Sequence, residues 1–173
     1  DVQFADHLER IAFNALPTQA SDDFNTRQYF QTANQVMITR SNRNFEWNHG
    51  HKSTDLVYGV FTGYYCCTSN MHQAWPKFTQ NLWYATPDNG LAAMIYAPSS
   101  IKAKVSNGVE VMFKEKTNYP FDETIVFQFE SQKNVKFPLH LRIPSWCDGA
   151  TIKINGKQLS IDTTNNIVII NRE

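Results

Sequence analysis

The sequence predicts an α+β protein in which a helical part is followed by an antiparallel β-sandwich. Two observations carry this prediction. The hydrophobic residues recur at three- and four-residue steps up to about residue 86, whereas from Leu91 onward they alternate with polar residues. The pair Asn155-Gly156 lies between two short apolar runs and is typical of a β-hairpin turn. We therefore predict two domains, residues 1–86 and 87–173.

The first segment has the spacing of an amphipathic helix that stops at Pro17. Its apolar positions are Phe4, Leu8, Ile11, Ala12 and Ala15. Residues 18–62 are rich in Asn, Ser, Thr and Gln and show few clear periods. Two short strands, Gln28–Phe30 and Gln35–Thr39, and one long functional loop are alternative predictions for this stretch.

A second helix is predicted after Thr68 or Ser69, either of which could serve as its N-cap. Its apolar positions are Met71, Ala74, Trp75, Phe78 and Leu82. Pro76 lies inside this pattern, where it should either kink the helix or mark its true first turn. The helix should end before Pro87, because Asp88-Asn89-Gly90 is typical of a turn.

The second half has the alternating pattern of several short strands. Alternation is clear in Val109–Phe113, in Ile125–Phe129 and in Val135–Ile143. Asn155-Gly156 should join a further pair of strands, residues 150–154 and 157–161. Short strands separated by turns favour an antiparallel sandwich.

Composition argues against two classes of partner. Sixteen basic and sixteen acidic residues give a formal net charge of zero, and there is no basic run typical of nucleic-acid binding. The longest apolar stretch, Leu91–Ala97, is too short to cross a membrane. Aromatic residues make up 13% of the chain. They suit a packed core, and Trp and Tyr also suit a sugar-binding surface.

The adjacent cysteines Cys66 and Cys67 are the most unusual feature of the sequence. The third cysteine, Cys147, lies far along the chain in the β part, and we interpret it as structural. Zinc could take both adjacent sulfurs as thiolates, and the amides of a following helix would favour those anions. Alternatively, the two cysteines are buried and inert. Spacing alone leaves both interpretations open, because two cysteines are only half of a zinc site.

Other polar residues near the pair are weaker candidates. His49, His51 and His72 could be ligands or ordinary surface residues. Asn70 could contact a sugar or zinc's outer shell, or it could cap a helix. Arg142 lies between two apolar strand residues and is interpreted as a solvated strand residue.

The segment Asp55–Gly59 with Thr62–Gln73 resembles glycoside hydrolase family 127 (GH127), the β-L-arabinofuranosidase-like family. Trp75–Phe78, Asn81–Ala85 and Ile95–Ser99 are similar to the same family. So are Leu141–Trp146 and Ile154–Gly156. The likeness extends over the whole chain, and its most specific element is the Cys-Cys-x-x-Asn run.

The resemblance implies an (α/α)6 barrel followed by β-sandwich modules, so that residues 1–86 would be the C-terminal part of the barrel. It implies that Cys66 is the nucleophile and a zinc ligand and that Cys67 is a zinc ligand, in a retaining hydrolase of β-L-arabinofuranosyl or related glycans. Asn70, His72 and His51 are carried along as substrate or outer-shell candidates. The family habit also implies a periplasmic or secreted bacterial enzyme.

The sequence departs from the family pattern in one respect. A Glu-x-Cys element that would complete the zinc site does not precede Cys66, and the general acid/base belongs to the missing part of the barrel. Both ends of the chain also look cut. We therefore expect a fragment that is inactive alone and binds zinc weakly or not at all. A non-catalytic carbohydrate-binding or structural sandwich with inert cysteines is the alternative, and a thiol redox module is the least favoured prediction.

Overall fold

The computed structural model describes residues 1–29, 31, 57–60 and 65–172. They form two compact units. The first contains Asp1–Glu9 and Thr79–Glu173, and the second contains Arg10–Phe78. Among the described residues the helices end at Gln80 and the strands begin at Trp83, so the predicted α+β class is confirmed. The assignment of residues 1–86 to a helical barrel remains a prediction.

The first unit contains nine strands among its described residues. Their bounds are β1 Trp83–Ala85, β2 Leu91–Ala93, β3 Ser99–Val105, β4 Val109–Thr117, β5 Ile125–Ser131, β6 Phe137–Arg142, β7 Lys153–Ile154, β8 Lys157–Gln158 and β9 Ile167–Arg172. One sheet has the order β1-β2-β6-β9 and a second has the order β3-β4-β5. The strands predicted in Val109–Phe113, Ile125–Phe129 and Val135–Ile143 are all present.

One strand pair departs from the predicted antiparallel arrangement. Strand β2 pairs with β6 in parallel, so that Leu91 lies opposite Leu139. All other pairs are antiparallel in the described part of the chain. Parallel neighbours need a long crossover connection, and here the whole β3-β4-β5 sheet supplies it. Alternation within a strand does not reveal the direction of its neighbour, so the sequence could not show this pair.

The hairpin predicted at Asn155-Gly156 is present as β7 and β8. Both turn residues have positive φ, 49° for Asn155 and 80° for Gly156, as a type I′ turn requires. Each strand has two residues, shorter than the predicted runs 150–154 and 157–161.

Aromatic rings join the two larger sheets. The Trp83 ring stacks on Phe113 with centroids 5.5 Å apart and meets Phe127 edge-on at the same distance. Phe113 also contacts Phe137, at 6.2 Å between centroids. These residues come from β1, β4, β5 and β6, so the two sheets pack as a sandwich around an aromatic core. Such pairs add to the stabilisation that burial of the rings supplies.

Helix α1, Val2–Arg10, confirms the predicted first helix, and it continues as a π-helical turn over Ile11–Ala15. The predicted apolar face is not the buried face of α1. Phe4 is 77% exposed, whereas Ala5 and Glu9 are buried. The buried side of α1 therefore carries the carboxylate of Glu9, which binds Arg142 of β6.

Arg142 is fully buried, so its interpretation as a solvated strand residue is wrong. Its guanidinium binds the carboxylates of Asp6 and Glu9 in α1 and the carbonyl of Met94. The Trp146 indole also donates to Glu9, at 3.2 Å. A buried arginine is tolerated because carboxylates and carbonyls satisfy its donors. The alternation in β6 could not indicate Asp6 and Glu9 as partners, because they lie in α1.

The second predicted helix is two helices, α2 Tyr65–Met71 and α3 Ala74–Gln80. Thr68 and Ser69 therefore lie inside α2 and are not its N-cap. Pro76 is the third residue of α3, which confirms the prediction that it marks a first turn. Leu82 lies beyond α3, just before β1. It is apolar because it is buried, and its position happened to match the helical spacing.

Glu115 lies on the buried side of β4 together with Val111 and Phe113. Its carboxylate accepts hydrogen bonds from the Ala97 amide and the Ser99 hydroxyl, both at 3.1 Å. Burial nevertheless raises the pKa of Glu115 from 4.5 to about 7. The folded state therefore holds a proton that the unfolded chain has lost between those two pH values.

We expect the contribution of Glu115 to stability to decrease as pH rises from about 4.5 to about 7, by about 2 to 3 kcal/mol. Glu115→Gln should abolish this part of the pH dependence, because the amide does not ionise. Urea unfolding at pH 4.5, 6 and 7.5 measures it. Glu110→Gln, on the same strand but exposed, is the matched control. Equal pH slopes for wild type and Glu115→Gln would show that the carboxyl is not buried in the folded state.

The remaining predictions fall partly outside the described residues. Gln35–Thr39 lies outside them, as does Phe30 of the predicted strand Gln28–Phe30. In the described part of the chain no helix is long and apolar enough to cross a membrane.

Candidate functional site

Cys66 and Cys67 lie in the first turn of α2, in the second unit. Cys66 is exposed and Cys67 is partly buried, and neither is in a disulfide. Cys66 lies close enough to Cys67 to affect the pKa of the Cys67 thiol. Zinc binding by the pair stays a prediction. The inert alternative assumed two buried cysteines, whereas Cys66 is exposed.

The electrostatic surroundings of Cys67 contain opposing effects. Burial raises the pKa of the Cys67 thiol, and the hydrogen bond and charge of Cys66 raise it further. The positive charge of Arg27 and a hydrogen bond from Tyr29 lower it. Two adjacent thiolates repel each other, so a cation near them is needed if both are to be anionic.

Contacts with its own residues and with Arg27 hold α2 in place. Asn70 donates its side-chain amide to the Cys66 carbonyl at 2.6 Å, and Ser69 donates to the Tyr65 carbonyl at 3.2 Å. Arg27 donates its Nε to the Thr68 hydroxyl at 2.5 Å. Asn70 therefore does not cap a helix but steadies the turn that carries Cys66. Its role toward a sugar or a metal remains a prediction.

The other candidate residues are placed as follows. His72 is exposed in the turn between α2 and α3. His49 and His51 lie outside the described residues, so the predictions for them stay open. Cys147 lies in the first unit. Among residues 1–29, 31, 57–60 and 65–172, no three His, Cys, Asp or Glu residues cluster as a metal site.

Arg27, Tyr29 and Thr68 are the site residues that sequence reasoning missed. An isolated arginine in a polar segment has no period or motif that marks it, and Thr68 was interpreted as a cap. The one sequence feature that could have indicated a site role was the position of Thr68 directly after Cys67.

The donor set around α2 fits part of a zinc site. Two neighbouring thiols, one of them exposed, are soft ligands that zinc prefers, and two further ligands would complete a tetrahedral shell. The two cysteines could therefore supply two of the four ligands of such a site.

Comparison with known proteins places the chain. It matches a GH127 β-L-arabinofuranosidase from Geobacillus stearothermophilus T6 over 99% of its length, with 24% identity and a TM-score of 0.80. A second solved structure, described as a glycoside hydrolase, matches over 99% with 19% identity and a TM-score of 0.74. The chain spans about a quarter of both, 26% and 27% of their lengths. No curated protein sequence matches it.

The fold and site together define an α+β chain that joins a cysteine-bearing helical unit to a two-sheet sandwich. Residues 90–173 match the family model described as β-L-arabinofuranosidase, GH127 middle domain. Residues 90–173 therefore belong to the GH127 middle-domain family, and the family resemblance found in the sequence is confirmed.

Proposed function

We propose that this chain supplies the cysteine nucleophile and the middle domain of a retaining glycoside hydrolase that acts on β-L-arabinofuranosyl or related glycans. The observation that carries the proposal is the pair of free cysteines Cys66–Cys67 in the first turn of α2, where Cys66 is exposed. Membership of GH127 supports the substrate class. The location that this function favours is the bacterial periplasm or the cell exterior, where glycans are degraded.

In the proposed reaction the Cys66 sulfur attacks the anomeric carbon. A sulfur–carbon bond forms, the bond from that carbon to the departing oxygen breaks, and an acid from outside this chain protonates that oxygen. Water then attacks the same carbon, loses a proton to the same group and releases the sulfur as a thiolate. Two displacements retain the anomeric configuration. Cys66 suits the attacking role because it is the exposed member of the pair.

Cys66 and Cys67 would hold zinc together with ligands from outside this chain. When bound, zinc supplies positive charge that keeps both sulfurs deprotonated at neutral pH. The residues of this chain position the sulfurs. The turn of α2 keeps the two sulfurs together, and Asn70 holds the carbonyl of Cys66 in place. Because half of the ligands lie elsewhere, we propose that the chain alone is inactive and binds zinc weakly.

The metal part of the proposal predicts a chelator-dependent change in thiol reactivity. In the intact enzyme, purified without added metal, Cys66 and Cys67 should resist iodoacetamide until a zinc chelator is added, and Cys147 should be indifferent to the chelator. Mass spectrometry of the labelled peptides reads out each thiol. Alkylation of the pair at the same rate with and without chelator would contradict zinc binding, while loss of zinc together with new labelling would support it.

A further inference from the structure

Arg27 is a buried cation in the unit that carries the cysteine pair. Its exposed fraction is 3%. The guanidinium carbon lies 5.9 Å from the centroid of the Tyr29 ring, and Nε donates to the Thr68 hydroxyl at 2.5 Å. Thr68 is the residue directly after Cys67. The arginine is therefore joined to α2 one residue away from the pair.

The backbone on both sides of Arg27 is fixed as well. Its N–H donates to the Gly59 carbonyl at 3.3 Å, and its own carbonyl accepts from the Gly59 N–H at 3.0 Å. An antiparallel bridge to Ala20 adds a third segment. A side chain that is anchored in this way and buried along its length holds its charge in one place, whereas an exposed arginine samples many positions.

The positive charge of Arg27 can stabilise anionic sulfurs nearby. Two anionic sulfurs on adjacent residues repel each other, and a fixed cation offsets that repulsion more strongly inside a protein than in water. The Tyr29 ring lies under the guanidinium, and both Arg27 and Tyr29 lie close enough to Cys67 to lower the pKa of its thiol. Arg27 and Tyr29 thus lie near Cys67, and Thr68 joins the arginine to the helix that carries the pair.

We propose that Arg27 is the positioning residue of the cysteine pair, holding α2 through Thr68 and supplying a fixed positive charge near Cys67. Its importance for turnover rests on the proposed function, but its contact with Thr68 does not. The charge also favours anionic reagents at these thiols over neutral ones of the same size.

A reagent pair tests this in the wild-type protein. Iodoacetate is anionic and iodoacetamide is neutral, and both alkylate thiols. In chelator-treated intact protein, the rate ratio of iodoacetate to iodoacetamide at Cys66 and Cys67 should exceed that at Cys147 about three- to tenfold. Fragment-ion mass spectrometry assigns each site. A ratio at the pair equal to the ratio at Cys147 would overturn the proposal without any variant.

Variants separate charge from scaffold. Arg27→Met should reduce the ratio at the pair to that of Cys147, and Arg27→Lys should preserve it because the charge remains. Thr68→Val keeps the charge but removes the hydroxyl, so the ratio should persist while the iodoacetamide rate at Cys67 rises as α2 loosens. A merely structural arginine would change absolute rates in Arg27→Met and leave the ratio alone, which contradicts the proposal.

The outcome for turnover is read separately. If Cys66→Ala keeps full activity in the intact enzyme, the nucleophile proposal fails, yet the reagent ratios still report on Arg27. If the ratios show no effect of Arg27 while Cys66→Ala is inactive, only the role of Arg27 fails.

Discussion

Replacement of Cys66 by alanine in the intact enzyme should lower kcat for a β-L-arabinofuranoside at least ~10³-fold. The reason is that no other exposed thiol lies in the described part of the chain, because Cys67 and Cys147 are both partly buried. Residual activity would come from binding and from the acid group. Steady-state kinetics on an aryl arabinofuranoside, with zinc content measured for each preparation, gives the result.

Rescue of Cys66→Ala by a small anion gives a second test of the nucleophile. Azide can enter the space that the missing sulfur leaves and attack the anomeric carbon, which should restore part of the turnover of Cys66→Ala and give a glycosyl azide of inverted configuration. Thr164→Ala, at an exposed loop position of the first unit, should match wild type. Turnover of Cys66→Ala within tenfold of wild type, with no azide product, would contradict the nucleophile assignment.

Replacement of Arg142 by methionine should cost about 3 to 5 kcal/mol of unfolding free energy, because the buried Glu9 and the partly buried Asp6 then face each other without their cation. Thermal and urea unfolding measure the loss. The exposed Arg10, changed to methionine, is the matched control and should shift stability by under about 0.5 kcal/mol.

A second change distinguishes lost charge pairing from lost packing. Adding Glu9→Gln to Arg142→Met removes one of the two stranded charges, so the double variant should be more stable than the single one. Stability of Arg142→Met within about 1 kcal/mol of wild type would mean that the cluster is open to water. So would a double variant less stable than the single one.

The β part could be predicted well from the sequence because alternation follows directly from strand geometry. Val109, Val111 and Phe113 show it, and Asn155-Gly156 requires the positive φ that both residues have. The parallel pairing of β2 with β6 could not be predicted, since partner and direction depend on the chain between them. Alternation also places Glu115 on the buried side of β4, although a carboxylate is usually exposed.

The helical part was less predictable, and for a physical reason. A run of apolar residues at helical spacing does not show where the backbone breaks, so α2 and α3 merged into one helix and Leu82 was counted in it. The cysteine pair could be recognised from its residue types. Its supports could not, because Arg27 reaches Thr68 from 41 residues away, a distance that no local pattern covers.

The contact between Arg142 and α1 bears on how this protein can be dissected. Asp6 and Arg142 are separated by 136 positions in the sequence, yet they belong to one compact unit. The family domain as matched starts at Gly90, which leaves out both carboxylates and Trp83 of the aromatic core. A recombinant piece cut at that point would carry a stranded cation and a gap in its interior. Cloning boundaries should therefore follow the spatial unit and retain the N-terminal helix.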